Sequence, residues 1–164
     1  WTEKSWCAII YDSDVDPFTN NGLFNNVKGK SNVAIIGFTT DGDVFGGFYS
    51  VAVTKQGQLF NDPDMFAFTF ESHGRCETPQ RFPVHAEVKN QAHVCFYNNN
   101  TNGFVRFSGG SGLFFLGNQN SESYCYDMSK AFEGIQDTTL TGWTLQSRYT
   151  NSHSCTRLVA IQLG

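Results

Sequence analysis

Apolar and polar positions alternate along most of this chain with a period of two, which predicts strands rather than helices. Residues 33–38 and 44–53 are β-branched and aromatic runs on either side of Asp41-Gly42. That pair is a strong short hairpin signal, since a type I′ turn needs positive φ at both central residues. In 65–70 the alternation places Phe66, Phe68 and Phe70 on one face. Residues 6–11 are short and apolar and read as a buried strand. Segments 93–97 and 103–107 read as strands joined through an Asn-rich stretch. Residues 113–116, 143–148 and 156–163 complete a set of about eight strands.

The helical signals are few. Asp16 is placed to cap a helix with Pro17 at its first position, running to about Lys28 and ending at Gly29. Asn20, Asn21 and Gly22 are poor helix formers, so packing of Leu23, Phe24 and Val27 has to hold it. Residues 55–64 read as a polar loop and 71–90 as loop around one short strand. Residues 124–132 fit either class. Without any βαβ alternation or internal repeat, the pattern gives a mainly β (α+β) domain over 1–164. Its architecture is an antiparallel two-sheet β-sandwich with a few short peripheral helices.

The second arm of the hairpin holds Phe45 and Phe48 around Gly46-Gly47. Two glycines inside a strand weaken it, so they point to a bulge or a close approach of other atoms. Gly109, Gly110 and Gly112 surround Ser111 and read as a tight turn between strands. A backbone nest for an anion is the competing reading, but no lysine follows at P-loop spacing. The sharp-elbow motif that exposes a nucleophilic serine is one residue out of step at Ser111 and lacks the strand–helix setting.

Composition narrows the function. The chain has 164 residues, net charge −4, and 16 phenylalanines against two methionines. Its basic residues are scattered, which disfavours a nucleic-acid binder, since that needs a basic face. No run approaches the roughly 18–20 apolar residues of a membrane helix. The chain opens at Trp1 and is expected to be a piece of a longer polypeptide. Cys7, Cys76, Cys95, Cys125 and Cys155 are an odd, widely spaced set without a CxxC pair. This fits reduced thiols in a cytoplasmic protein better than a disulfide framework or a zinc site. Asn99-Asn100-Thr101 fits a glycosylation acceptor, a pattern short enough to arise by chance.

Taken in order, these segments resemble the TLDc domain family across nearly the whole chain. The residues carrying the resemblance are 6–11, 15–28, 33–38, Thr40-Asp41-Gly42 and Val44-Phe45-Gly46-Gly47. Further along they are 66–70, Gly109-Gly110-Ser111-Gly112 with 113–116, and the closing run 158–163. The chain departs from the family pattern in three places. No large aromatic lies in 158–163, Leu113 replaces the usual polar residue after the glycine turn, and 71–90 has no counterpart. The resemblance implies a β-sandwich. It also implies a role in protecting cells against oxidative stress, and binding to subunits of the vacuolar proton-pumping ATPase as several members do. It implies no shared chemistry, so neither catalytic residues nor a cofactor are expected.

Three sets of residues compete with that reading. Asp12, Asp14 and Asp16 imitate the first half of a calcium loop. Pro17 and Leu23 stand where that loop needs Gly and Glu, which rules out an EF-hand and leaves a weaker cation site or a solvated turn. Cys76 follows Arg75 and is the first choice for a redox-responsive thiol, since thiolate character needs a nearby positive charge. Trp1, Tyr97, Trp143 and Tyr149 are the aromatics open to stacking on sugars in a carbohydrate-binding sandwich. His73, His85, His93 and His153 are far apart in sequence. His85-Ala-Glu87 would share a face if extended, which is common in ordinary sheets.

Overall fold

The computed structural model describes residues 1–98, 103–117, 123–142 and 154–164. In chain order the strands are β1 (Cys7–Asp12), β2 (Val33–Thr39), β3 (Val44–Tyr49), β4 (Phe60–Asn61), β5 (Phe66–Glu71) and β6 (Gln80–Pro83). Then come β7 (Ala92–Phe96), β8 (Gly103–Gly109), β9 (Gly112–Gly117), β10 (Cys125–Tyr126) and β11 (Cys155–Leu163). Two short helices, α1 (Asn20–Val27) and α2 (Met128–Ala131), and a 3₁₀ turn over Ala86–Gln91 lie between them. One sheet, A, has the order β1-β11-β2-β3-β5-β6, and the other, B, the order β10-β9-β8-β7-β4. Every pairing is antiparallel, so the fold is the expected β-sandwich.

The main core lies between the sheets. Phe45 and Tyr49 of sheet A meet Phe96, Phe107 and Phe114 of sheet B, with α1 contributing Leu23, Phe24 and Val27. A second, smaller cluster of Ile36, Phe48, Phe66, Phe68 and Val159 forms separately on sheet A. Alternation along β3 explains the split: Phe45 and Tyr49 point inward, while Val44 and Phe48 point to the other face.

Several local expectations need correction. The 6–11 strand is not buried. As β1 it pairs only with β11 at the rim of sheet A, leaving Trp6 and Ile9 exposed. Helix α1 starts later than expected because Thr19, not Asp16, is its cap; the Thr19 hydroxyl accepts the Gly22 N–H at 3.0 Å. The Asp16 carboxylate instead accepts the Asp12 N–H. The Asp41-Gly42 turn is not type I′, since only Gly42 of the two has positive φ, at 88°. Thr39 N–H donates to the Asp43 carbonyl and Gly42 N–H to the Thr39 carbonyl, which makes a three-residue loop with glycine in the left-handed position.

Residues 55–64 are not all loop, because β4 pairs with β7 there. Residues 71–90 contain the 3₁₀ turn as well as β6, so His85 and Glu87 do not share a strand face. The open stretch 124–132 resolves into β10 and α2. The expected strand 143–148, with Trp143 and Tyr149, lies outside the described residues, as do Asn99-Asn100-Thr101 and His153.

Candidate functional site

Gly46 and Gly47 face opposite sides of sheet A. Their pairing to β2 is regular, Gly46 with Ile36 and Gly47 with Ile35, so no bulge occurs at the pair. What surrounds them is a close approach. A Cβ on Gly46 would overlap the Ile35 carbonyl oxygen and lie 2.9 Å from Phe68 Cζ on the outer face. A Cβ on Gly47 would lie 2.6 Å from the Phe107 ring of sheet B. The strand after Phe45 is thin on both sides so that an aromatic ring can press down on each. Gly109 and Gly112 pair across the β8–β9 turn with Gly110 at its tip, and a Cβ on Gly112 would overlap the Asp127 carbonyl that leads into α2. The turn connects strand to strand.

Asp12 and Asp14 are brought together, but around a guanidinium. Arg157 of β11 donates from both Nε (2.9 Å) and Nη2 to the Asp12 carboxylate, and lies 3.1 Å from Asp14. This pairing holds the Asp12 carboxyl below the usual aspartate range, the guanidinium hydrogen bonds being the main cause. Asp16 is drawn back onto the Asp12 amide. The three carboxylates therefore spend their lone pairs on Arg157 and the turn's own backbone, an arrangement that suits a closed loop better than a hard cation.

Cys76 is half-buried, and its N–H donates to Ser72 Oγ at 2.8 Å. The cation expected to activate it is committed elsewhere. Arg75 donates to Asp43 Oδ1 (2.5 Å) and to the Thr139 and Leu140 carbonyls (3.0 Å each). Three other thiols, Cys95, Cys125 and Cys155, are buried. Burial pushes all three upward, Cys155 to about 12, away from the reactive thiolate.

The Arg75 contacts belong to a cluster that sequence reasoning missed. Asp43, at the tip of the β2–β3 hairpin, is almost wholly buried, and its Oδ1 also meets His73 Nδ1 at 2.8 Å. A histidine oriented by a buried aspartate is half of a hydrolytic triad. Here, however, the aspartate is already matched by a permanent cation. No hydroxyl or thiol among the described residues is hydrogen-bonded to His73 Nε2. The cluster ties the loop between β5 and β6 to the hairpin tip. One signal was available: a lone aspartate between Gly42 and the apolar run at Val44 sits where a strand should be burying its side chains.

The second missed feature is the outer face of sheet A. The rings of Phe48 and Phe66 stack 4.8 Å apart, and Phe68 and Phe70 lie 5.0 Å apart along the same face. They border an open groove of about 240 Å³ whose walls include Ala34, Ile36, Ile161 and Trp1. The alternation in 66–70 predicts that the three rings share a face, but not that this face borders a groove rather than the core. Both faces of β5 are apolar at its start, with Ala67 turned to the core and Phe66 to the groove. Tyr97 stacks on Phe115 (4.9 Å), which stacks on Tyr124 (5.3 Å), so its ring is engaged with neighbours on sheet B.

The sandwich, the glycine-thinned hairpin and the ordered strand series agree with what family comparison finds: residues 2–152 match the TLDc domain. The chain belongs to the TLDc family. No curated protein matches it significantly along its sequence. No helix among the described residues is long and apolar enough to cross a membrane.

Proposed function

We propose that this TLDc domain is a non-enzymatic interaction module of the cytoplasm. It presents a rigid surface to a protein partner and serves the family's role in protection against oxidative stress. The observation that carries this reading is the second apolar cluster. A lone sandwich needs one core, yet sheet A is apolar on both faces, and the outer one is open as a groove. The cluster itself is buried, but Trp1 and Phe70 at the groove's rim stay exposed, and exposed apolar surface around a groove supports an interaction site. The hydrogen-bonding arrangement of Asp12, Asp14, Asp43 and Arg75 supports structural roles for these charged groups.

Membership of the family makes subunits of the vacuolar proton-pumping ATPase the leading partner. The test is affinity purification of the full-length protein with identification of what accompanies it. Reproducible recovery of pump subunits, competed by untagged domain, is expected. Their repeated absence would remove the pump from the proposal while leaving the module.

A further inference from the structure

Trp1 is itself seated in the outer groove of sheet A. Its indole stacks on Phe70 with centroids 5.8 Å apart and planes within 7°, and tilts against Phe68 at 6.2 Å. The Trp1 carbonyl accepts a 2.5 Å hydrogen bond from Arg81 Nη1 on β6, while the Arg81 guanidinium lies over the Phe66 ring. At the other end, the Ser5 and Trp6 amides both donate to the Gly164 carbonyl, just past β11. Residues 1–5 thus cross the sheet from the β11 side to β5 and β6.

Three interstrand steps of sheet A separate β11 from β5. At about 4.8 Å each they amount to roughly 14 Å. Five residues reach at most about 17 Å, so the crossing takes up most of their length. Between its two ends the segment is lightly held. Thr2, Glu3 and Lys4 contribute no hydrogen bond among the described residues, Glu3 adopts a left-handed φ of 54°, and Trp1 remains half exposed.

We infer that this groove is a recognition site for an extended protein segment anchored by one large aromatic side chain, and that residues 1–5 occupy it in cis as a displaceable strap. Trp1 supplies the pattern of the ligand: a flat ring stacked on Phe70, apolar contact with Phe68, and a backbone carbonyl directed at Arg81. These are the elements of peptide recognition in which an anchor fills an apolar site and a fixed donor sets the register of the main chain. A short tether gives the strap an effective concentration in the millimolar range, so it competes with a partner segment, and a partner displaces it by making contacts beyond those of Trp1. The inference rests on the reading of the domain as an interaction module, and names the surface and the chemistry of its partner.

The test uses the acetylated pentapeptide Trp-Thr-Glu-Lys-Ser, the sequence of residues 1–5, as the probe. It is titrated by NMR into isotopically labelled full chain, wild type and Trp1→Ala. Saturable shifts at the Phe68, Phe70 and Arg81 amides are expected in Trp1→Ala. Binding to wild type should be about tenfold weaker, because the strap competes. Adding Phe70→Ala should abolish binding, and the probe with alanine for tryptophan should be inert.

The inference fails if the shifts do not saturate, if wild type and Trp1→Ala bind equally, or if light scattering shows Trp1→Ala dimerising through the groove, which would make a second copy the occupant. Should Trp1→Ala fold poorly, Arg81→Gln in the wild-type background tests the same point. It should release the strap and shift Trp1 emission to the red, and an unchanged spectrum would count against the strap. If the peptide fails while wild type still recovers pump subunits, the module survives and only the groove is lost.

Discussion

The two faces of sheet A are built from the same strands, yet they do different work. On the inner face large side chains meet sheet B: Phe45 approaches Phe114 edge-on, and Tyr49 approaches Phe96 edge-on at 5.7 Å. Among the described residues no second sheet covers the outer face. Its rings bury one another, with Trp1 and the Arg81 guanidinium as thin cover. The difference shows at the rim: Phe45 is fully buried, and so nearly are Phe48, Phe66 and Phe68, whereas Phe70 keeps 45% of its surface. Burial against a second layer makes a core, and burial by sideways stacking makes a surface that can be rearranged.

The sharpest way to break this comparison is to truncate one ring on each face. Phe45→Ala removes a fully buried ring that no neighbour can replace, and should cost about 3–5 kcal/mol. Phe70→Ala removes a ring already half in solvent and should cost under about 1 kcal/mol. Urea midpoints at constant m-value measure both. Equal losses would mean that the outer face is core after all.

The glycine pair comes next. Valine at either position should destabilise, because overpacking costs about 1–3 kcal/mol and outweighs the gain from lost glycine entropy. Gly46→Val should be the worse of the two. Its Cβ meets the Ile35 carbonyl, part of the ladder itself, while at Gly47 the obstacle is a ring. A melting temperature unchanged in Gly46→Val would refute the close approach.

What the sequence disclosed follows the same division. The inner face was legible because alternation and β-branched runs respond to one dominant core, so β2, β3, β8, β9 and β11 fell close to where they were expected. The burial of the first strand differs from expectation because six apolar residues look alike whether they lie in the middle of a sheet or, as β1 does, on its rim. The α1 cap was misread because Asp16-Pro17 and Thr19 are both acceptable starts, and the choice was decided by Asp16 folding back onto Asp12. Asp43 with Arg75, 32 residues apart, and Trp1 against Phe70 are long-range pairings that no local pattern encodes. The Asp12–Arg157 pair joins residues 145 apart, which is why the three aspartates looked like an open cation loop.

The ionic contacts extend the comparison. Asp43 is almost fully buried and takes two cationic or donor partners through one oxygen. Asp43→Asn keeps the shape and removes the charge, leaving Arg75 turned into the protein without its counterion. Hydrogen bonds to charged groups are worth about 1.5–3 kcal/mol, and a loss in that range is expected. Arg75→Gln should be at least as damaging as Asp43→Asn, because it leaves the buried aspartate without its cation, whereas Asp43→Asn leaves a partly solvated guanidinium. The reverse order would show that His73 alone satisfies Asp43.

The outer counterpart, Asp12 with Arg157 above the Phe38 ring, should give the smallest effect and the one most dependent on pH. Solvent reaches this pair, so Asp12→Asn should lower stability at neutral pH by less than Asp43→Asn does. The folded carboxyl is held below its ordinary value by Arg157, so the folded state binds a proton here less readily than the unfolded chain does. The pair's contribution is therefore complete above the ordinary aspartate value, near 4, and fades as pH falls through the lower folded value. Denaturation midpoints of wild type and Asp12→Asn should differ at pH 7 and converge in acid. A gap that widened on acidification would mean that Asp12 takes up its proton more readily in the fold than out of it, and that Arg157 is not its governing neighbour.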